Sequence, residues 1–191
     1  TCRRRCIITE IERVVSKFNY KNEFDLMFLK NVSKAKNDLN KCINLLTEGP
    51  YNELYAKKDN YVLCHLDLAH HNFIIEDNEI NIIDFDYCIL DSHLHDVSSL
   101  FIRSMKDGKW SDRKADVILY SYEKIFEIEK NELPIMREFI RFPQAFWQIG
   151  LQVYWEQQPW GEEFFLNKLQ RYLEDCDERE EFIDSYFKGG D

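Results

Sequence analysis

No run of apolar residues approaches the ~20 needed to cross a bilayer, so the sequence offers no candidate for a membrane-spanning helix. The first residues, Thr1-Cys-Arg-Arg-Arg-Cys6, lack the long apolar stretch of a signal peptide. They also lack an initiator Met, which makes an excised or processed piece the expectation and the cytoplasm the default compartment. No Cys-x-x-Cys pair occurs among the six cysteines (Cys2, Cys6, Cys42, Cys64, Cys88 and Cys176). That removes zinc-site spacing and, with this much apolar content, a disulfide framework. Most of the six are expected to be reduced, buried thiols. Internal repeats, low-complexity tracts and flexible linkers are missing too. Basic residues are outnumbered, 25 Lys and Arg against 35 Asp and Glu, for a net charge of -10. A general nucleic-acid binder needs the opposite balance.

What is present fits a globular protein: 191 residues, 45% hydrophobic and 31% charged, enough for one domain or one large lobe of a longer protein. Acidic residues crowd positions 174 to 181, where a solvated helix face is the simplest reading. Arg3, Arg4 and Arg5 form a basic patch too short to be more than a solvated or interdomain segment. Helical periodicity covers Ile7 to Phe18 and Glu23 to Leu46; in the second, Phe24, Phe28, Val32, Ala35, Leu39, Ile43 and Leu46 recur three or four apart. Gly49-Pro50 should end that helix. Tyr61 to Cys64 reads as a strand. Phe73 to Ile75 and Ile80 to Ile83 read as a hairpin joined by Glu76-Asp77-Asn78-Glu79. Strands this apolar should have both faces covered. Helices follow: His95 to Met105, then one capped by Ser111 and reaching about Phe126. The next opens at Pro134 and runs toward Gln158 with an interruption at Pro143, and the last covers Glu162 to Cys176.

Chemistry concentrates between His65 and Asp86, where Asp67, Asn72 and Asp84 surround the apolar hairpin. If Ile75 pairs with Ile80, Asn72 falls opposite Ile83 and beside Asp84 at the open end of the hairpin. An amide oxygen next to a carboxylate suits magnesium, a hard cation that keeps some of its waters. Asp67, on the preceding irregular loop, can face the same point and orient the proton of an acceptor hydroxyl. Any one of the three could be a turn or cap residue. All three at this spacing are the set that phosphoryl transfer from a nucleotide requires.

The pattern His65-x-Asp67-x-x-x-x-Asn72, followed by Ile83-Asp84-Phe85-Asp86, resembles the catalytic and metal-binding motifs of the aminoglycoside phosphotransferase and choline kinase superfamily, which has a protein-kinase-like fold. The continuation through Tyr87-Cys88, Asp91 and His95-Asp96 most resembles the kinase-like spore-coat proteins of the CotS type. The detailed match spans roughly residues 61 to 103. The resemblance implies an α+β, mostly helical chain: the C-terminal lobe of that fold, with a small β-hairpin insert carrying the catalytic loop. It implies Asp67 as the catalytic Asp, Asn72 and Asp84 as magnesium ligands, and ATP or another nucleoside triphosphate as phosphoryl donor to an unidentified hydroxyl acceptor. His65 would brace the loop, Asp96 would anchor it by accepting backbone hydrogen bonds, and Asp86 would play a supporting part.

Two departures from the family stand out. Leu66 occupies a position where the family often has Gly. More consequentially, no Gly-rich loop and no strand lysine precede the motif. The expectation is therefore a C-terminal lobe over residues 1 to 191, without the N-terminal nucleotide-binding lobe, and inactive on its own. Three functions stay open: an ATP-dependent phosphotransferase, a catalytically inactive coat component whose partners are other spore-coat proteins, and a His/Asp metal-dependent phosphohydrolase. The last draws on His65, His70, His71, His93 and His95. Trp147 and Trp155 are weaker candidates for lining a cationic acceptor's pocket. A core-facing helix stripe explains Trp147 and Tyr154 better. Neither a nucleic acid nor a membrane is expected as partner.

Overall fold

The computed structural model describes residues 2–49, 51–52 and 61–188. Two helices, α1 (Cys2–Ser16) and α2 (Glu23–Glu48), precede four short strands: β1 (Val62–Cys64), β2 (Phe73–Glu76), β3 (Glu79–Ile82) and β4 (Ile89–Asp91). Five helices follow: α3 (Leu94–Met105), α4 (Asp112–Glu123), α5 (Leu133–Arg141), α6 (Gln144–Tyr154) and α7 (Glu162–Tyr186). Every segment with helical periodicity is a helix, though α1 starts earlier and α7 runs further than expected. The helix expected from Pro134 toward Gln158 is two helices. Phe142, which precedes Pro143, has ψ 125°, because the proline ring disfavours the helical conformation in the residue before it. Among the described residues, no helix is long and apolar enough to cross a membrane.

Helix α2 opens with a reciprocal cap. The Asn22 side chain accepts from the Asp25 amide at 2.8 Å, and the Asp25 carboxylate accepts from the Asn22 amide at 3.1 Å. Its stripe of Phe24, Phe28, Val32, Ala35, Leu39 and Cys42 is buried. Gly49 stands at its C-cap; Pro50 lies outside the described residues. The Phe28 ring stacks on Phe146 of α6, with centroids 4.7 Å apart. A Cβ at Gly150 would fall 2.9 Å from that ring, so glycine is what lets α6 approach α2 so closely.

The core has two parts. One gathers α1, α2 and α6 with Phe165 and Leu169 from the start of α7. The other gathers α3 and α5 with Phe182 and Ile183 from its end. The long α7 thus serves both. Three cysteines, Cys42, Cys64 and Cys176, are buried free thiols as expected, whereas Cys6 and Cys88 are exposed.

The strands form two antiparallel pairs, β1 with β4 and β2 with β3. Ile75 faces Ile80 and Phe73 faces Ile82, so the register is the expected one. The connection is tighter, only Asp77-Asn78, both at positive φ (50° and 62°), a backbone that Asn and Asp tolerate in a two-residue hairpin turn. The expectation of covered faces is corrected. Ile75 is 74% exposed and Ile80 67%, because no described element packs across the hairpin.

Candidate functional site

Strand β1 delivers the chain to the loop, and the first turn of α3 holds it there. The carboxylate of Asp96 accepts from the backbone amides of both His65 (2.7 Å) and Leu66 (2.8 Å). Two charge-assisted bonds from consecutive amides determine the direction in which the loop leaves the strand. Leu66 consequently lies in the left-handed region, at φ 64°, a conformation costly for a residue with a Cβ. Glycine adopts that backbone without strain.

His65 is buried and bridges the two halves of the motif. Its Nδ1 accepts from the Asp67 amide at 3.3 Å, which assigns the proton to Nε2, 2.8 Å from the Ile83 carbonyl oxygen. Phe85 packs edge-on against the imidazole at 4.7 Å. Asn72, at the end of a short 3-10 turn, is 2% exposed; its side-chain NH₂ donates to the Asp67 carbonyl at 2.8 Å. The Asn72 carbonyl in turn accepts from the Ile83 amide at 3.0 Å, the residue before Asp84. Backbone and amide bonds therefore tie the segments bearing Asp67, Asn72 and Asp84 into one unit. Asp84 is exposed at φ 66°, and Asp86 is exposed just beyond it.

The surroundings of the loop are acidic. Burial pushes the Cys64 thiol up to about 12, and the negative charges of Asp96 and Asp91 add to the shift. The thiol stays protonated and donates to the Ser92 carbonyl at 3.1 Å. Burial alone would raise the Asp91 carboxyl as well. Bonds from His95, Tyr51 and the Ser92 amide outweigh it and hold the group at about 2. Asp91 thereby fastens Tyr51, just past the end of α2, to the strand pair.

Two groups that shape this site were not singled out from the sequence. The motif includes Asp91 but gives it no role. It does not include Arg103, whose Nη2 lies 2.6 Å from Oδ1 of Asp67. A signal existed: Arg103 comes two helical turns after Asp96, and so projects from the same face of α3.

The histidines do not converge. His93 is buried between Tyr122 (3.0 Å) and Glu132 (3.1 Å), His95 stacks on Phe139 beside Asp91, and His70 and His71 are exposed. Among the described residues, no three or more His, Cys, Asp or Glu side chains are grouped so as to hold a metal together.

Nor does the structure bring Trp147 and Trp155 to the loop. They belong to α6 and its C-cap, and α6 packs on α1 and α7. The Tyr154 hydroxyl donates to Asp25 at 2.7 Å, which puts this end of α6 at the start of α2. The 26 residues of α2, about 39 Å of helix, separate that end from the Tyr51 side. A cavity of about 270 Å³ lies there, lined by Phe24, Trp160, Phe165 and several amides. It is remote from Asp67.

A helical body with a small two-part β insert is the fold of kinase-like phosphotransferases. The model of the phosphotransferase enzyme family, APH, matches residues 24–130, and the chain belongs to that family. Two solved structures share its fold. An aminoglycoside phosphotransferase from Alicyclobacillus acidocaldarius superposes with a TM-score of 0.82 at 22% identity, over 97% of this chain and 55% of that one. A spectinomycin phosphotransferase, APH(9)-Ia, in complex with ADP and spectinomycin, gives 0.64 at 20% identity, over 97% and 56%. The chain thus spans little more than half the length of either. No curated protein matches it.

Proposed function

We propose that the chain carries the catalytic and metal-binding half of an ATP-dependent phosphotransferase acting on a hydroxyl acceptor. The observation that carries this reading is the bonded unit described above. Asn72 is pinned on one side to Asp67 and on the other to the residue before Asp84. With its NH₂ turned to the Asp67 carbonyl, Asn72 keeps its amide oxygen as the ligand atom. Asp84 offers an exposed carboxylate beside it. This all-oxygen pair fits magnesium. Bound there, magnesium supplies neutralisation of the nucleotide's phosphate charge. Asp67 orients the acceptor hydroxyl. The acceptor oxygen bonds to the γ-phosphorus, the bond from that phosphorus to its bridging oxygen breaks, and the hydroxyl proton passes to Asp67 as the nucleoside diphosphate leaves.

The uncovered apolar hairpin fits a longer protein in which a nucleotide-gripping N-terminal lobe closes over this face. The same surface favours a second reading, a catalytically inactive component of the spore coat that assembles with other coat proteins. In either reading the protein works in the cytoplasm or is incorporated from there into the coat. The longer protein separates the two. Magnesium-ADP should raise its melting temperature, and Asp84→Ala should abolish the rise. No binding of magnesium-ADP or magnesium-ATP at millimolar concentration leaves only the assembly role.

A further inference from the structure

Asp67 does not stand alone in the loop. Arg103 reaches it from α3, Nη2 to Oδ1 at 2.6 Å, with the arginine side chain 40% exposed and the aspartate side chain 24%. Near the surface such a pair adds little to stability. Its placement is more telling than its strength. Asp96 clamps the two residues before Asp67, and Arg103, two turns further along the same helix face, takes hold of the Asp67 carboxylate. One rigid helix thus sets both the loop backbone and the side chain that the reaction uses. The guanidinium engages Oδ1 and leaves Oδ2 for a second partner.

We propose that Arg103 is a positioning residue for phosphoryl transfer. It locks the Asp67 carboxylate so that Oδ2, and not a freely rotating pair of oxygens, meets the acceptor hydroxyl. A cation on the carboxylate opposes strong proton abstraction. It is compatible with transfer through a loose transition state, in which orienting the hydroxyl matters more than early deprotonation. This inference rests on the phosphotransferase reading given above.

The test uses the full-length protein with magnesium-ATP as donor and water as acceptor, following phosphate release. Arg103→Gln should lower kcat by roughly 100-fold, the scale expected for a misplaced reacting group, and leave KM for magnesium-ATP within about twofold. The melting temperature should barely move. Arg103→Lys should recover part of the loss, and added guanidinium at sub-denaturing concentration should partly rescue Arg103→Gly. The double variant Asp67→Asn/Arg103→Gln should be no slower than Asp67→Asn alone, because Arg103 acts only through that carboxylate. An unchanged kcat in Arg103→Gln overturns the proposal, and so do losses that multiply in the double variant. Calorimetry with magnesium-ADP separates the two levels. If the wild type binds no nucleotide, the phosphotransferase reading falls and takes this one with it. If binding is intact and Arg103→Gln turns over normally, only the role of Arg103 is lost.

Discussion

Asp91 shows how one residue joins chemistry to stability. Its carboxyl, held at about 2 by His95, Tyr51 and the Ser92 amide against the opposing effect of burial, compares with about 3.9 in an unfolded chain. A depressed value means stabilisation that is complete above the unfolded value and disappears as pH falls through the folded one. The contribution should therefore be lost between about pH 4 and pH 2. Urea midpoints across that window should fall more steeply for the wild type than for Asp91→Asn, and parallel curves would contradict the assignment. At this scale the sequence was informative where a motif supplies spacing. The motif names His65, Asp67, Asn72, Asp84 and Asp96; bonds join four of them directly, and Asp84 is linked only through the amide of its neighbour Ile83. It was silent where a partner arrives from elsewhere in the chain. Tyr51 lies 40 positions before Asp91, and nothing in the local pattern links them.

Among the elements, helices were the most legible because their apolar spacing repeats over many turns. The spacing in α2 matches its buried stripe almost residue for residue, with Cys42 taking a buried place that Ile43 only partly fills. Closeness between helices was not legible. Gly150 looks like an ordinary helix-weakening glycine, yet its missing side chain is the space occupied by Phe28. Gly150→Ala should therefore destabilise the protein by about 1–3 kcal/mol through overpacking, despite alanine's better helix propensity. Phe28→Leu in the same chain should recover much of the loss. Thermal melts of the single and double variants check this, and an unchanged or higher Tm for Gly150→Ala would refute it. The strand pair β1–β4 was half seen: Val62–Cys64 is extended as expected, but its partner Ile89–Asp91 is too short to show alternation.

For the molecule as a whole, an ion cluster joins the helices that frame the second core. Arg141 is buried; it bonds Glu138 one turn earlier on α5, and Glu180 (3.0 Å) and Asp184 (3.5 Å) on α7. The Cys42 thiol of α2 donates to the Glu138 carbonyl at 3.0 Å. Removing Arg141 leaves the buried Glu138 carboxylate with only the half-buried Arg137, 3.3 Å away. Arg141→Met should therefore cost about 2–3 kcal/mol, less than a fully uncompensated buried charge would, whereas Arg141→Met/Glu138→Leu should recover most of that. Chemical denaturation measures both. Equal losses in the two variants would show that packing, not charge pairing, dominates there.

Local pattern alone determined a mostly helical chain, the hairpin register and the identity of the polar set around it. Those depend on periodicity and on chemistry within a few residues, which any sequence displays. Only the tertiary structure decided that Arg103 meets Asp67, that Asp91 anchors Tyr51, that Trp155 lies far from the loop, and that the apolar hairpin is uncovered. Each of these depends on which surfaces the helices bring together, and that is a property of packing across the whole molecule.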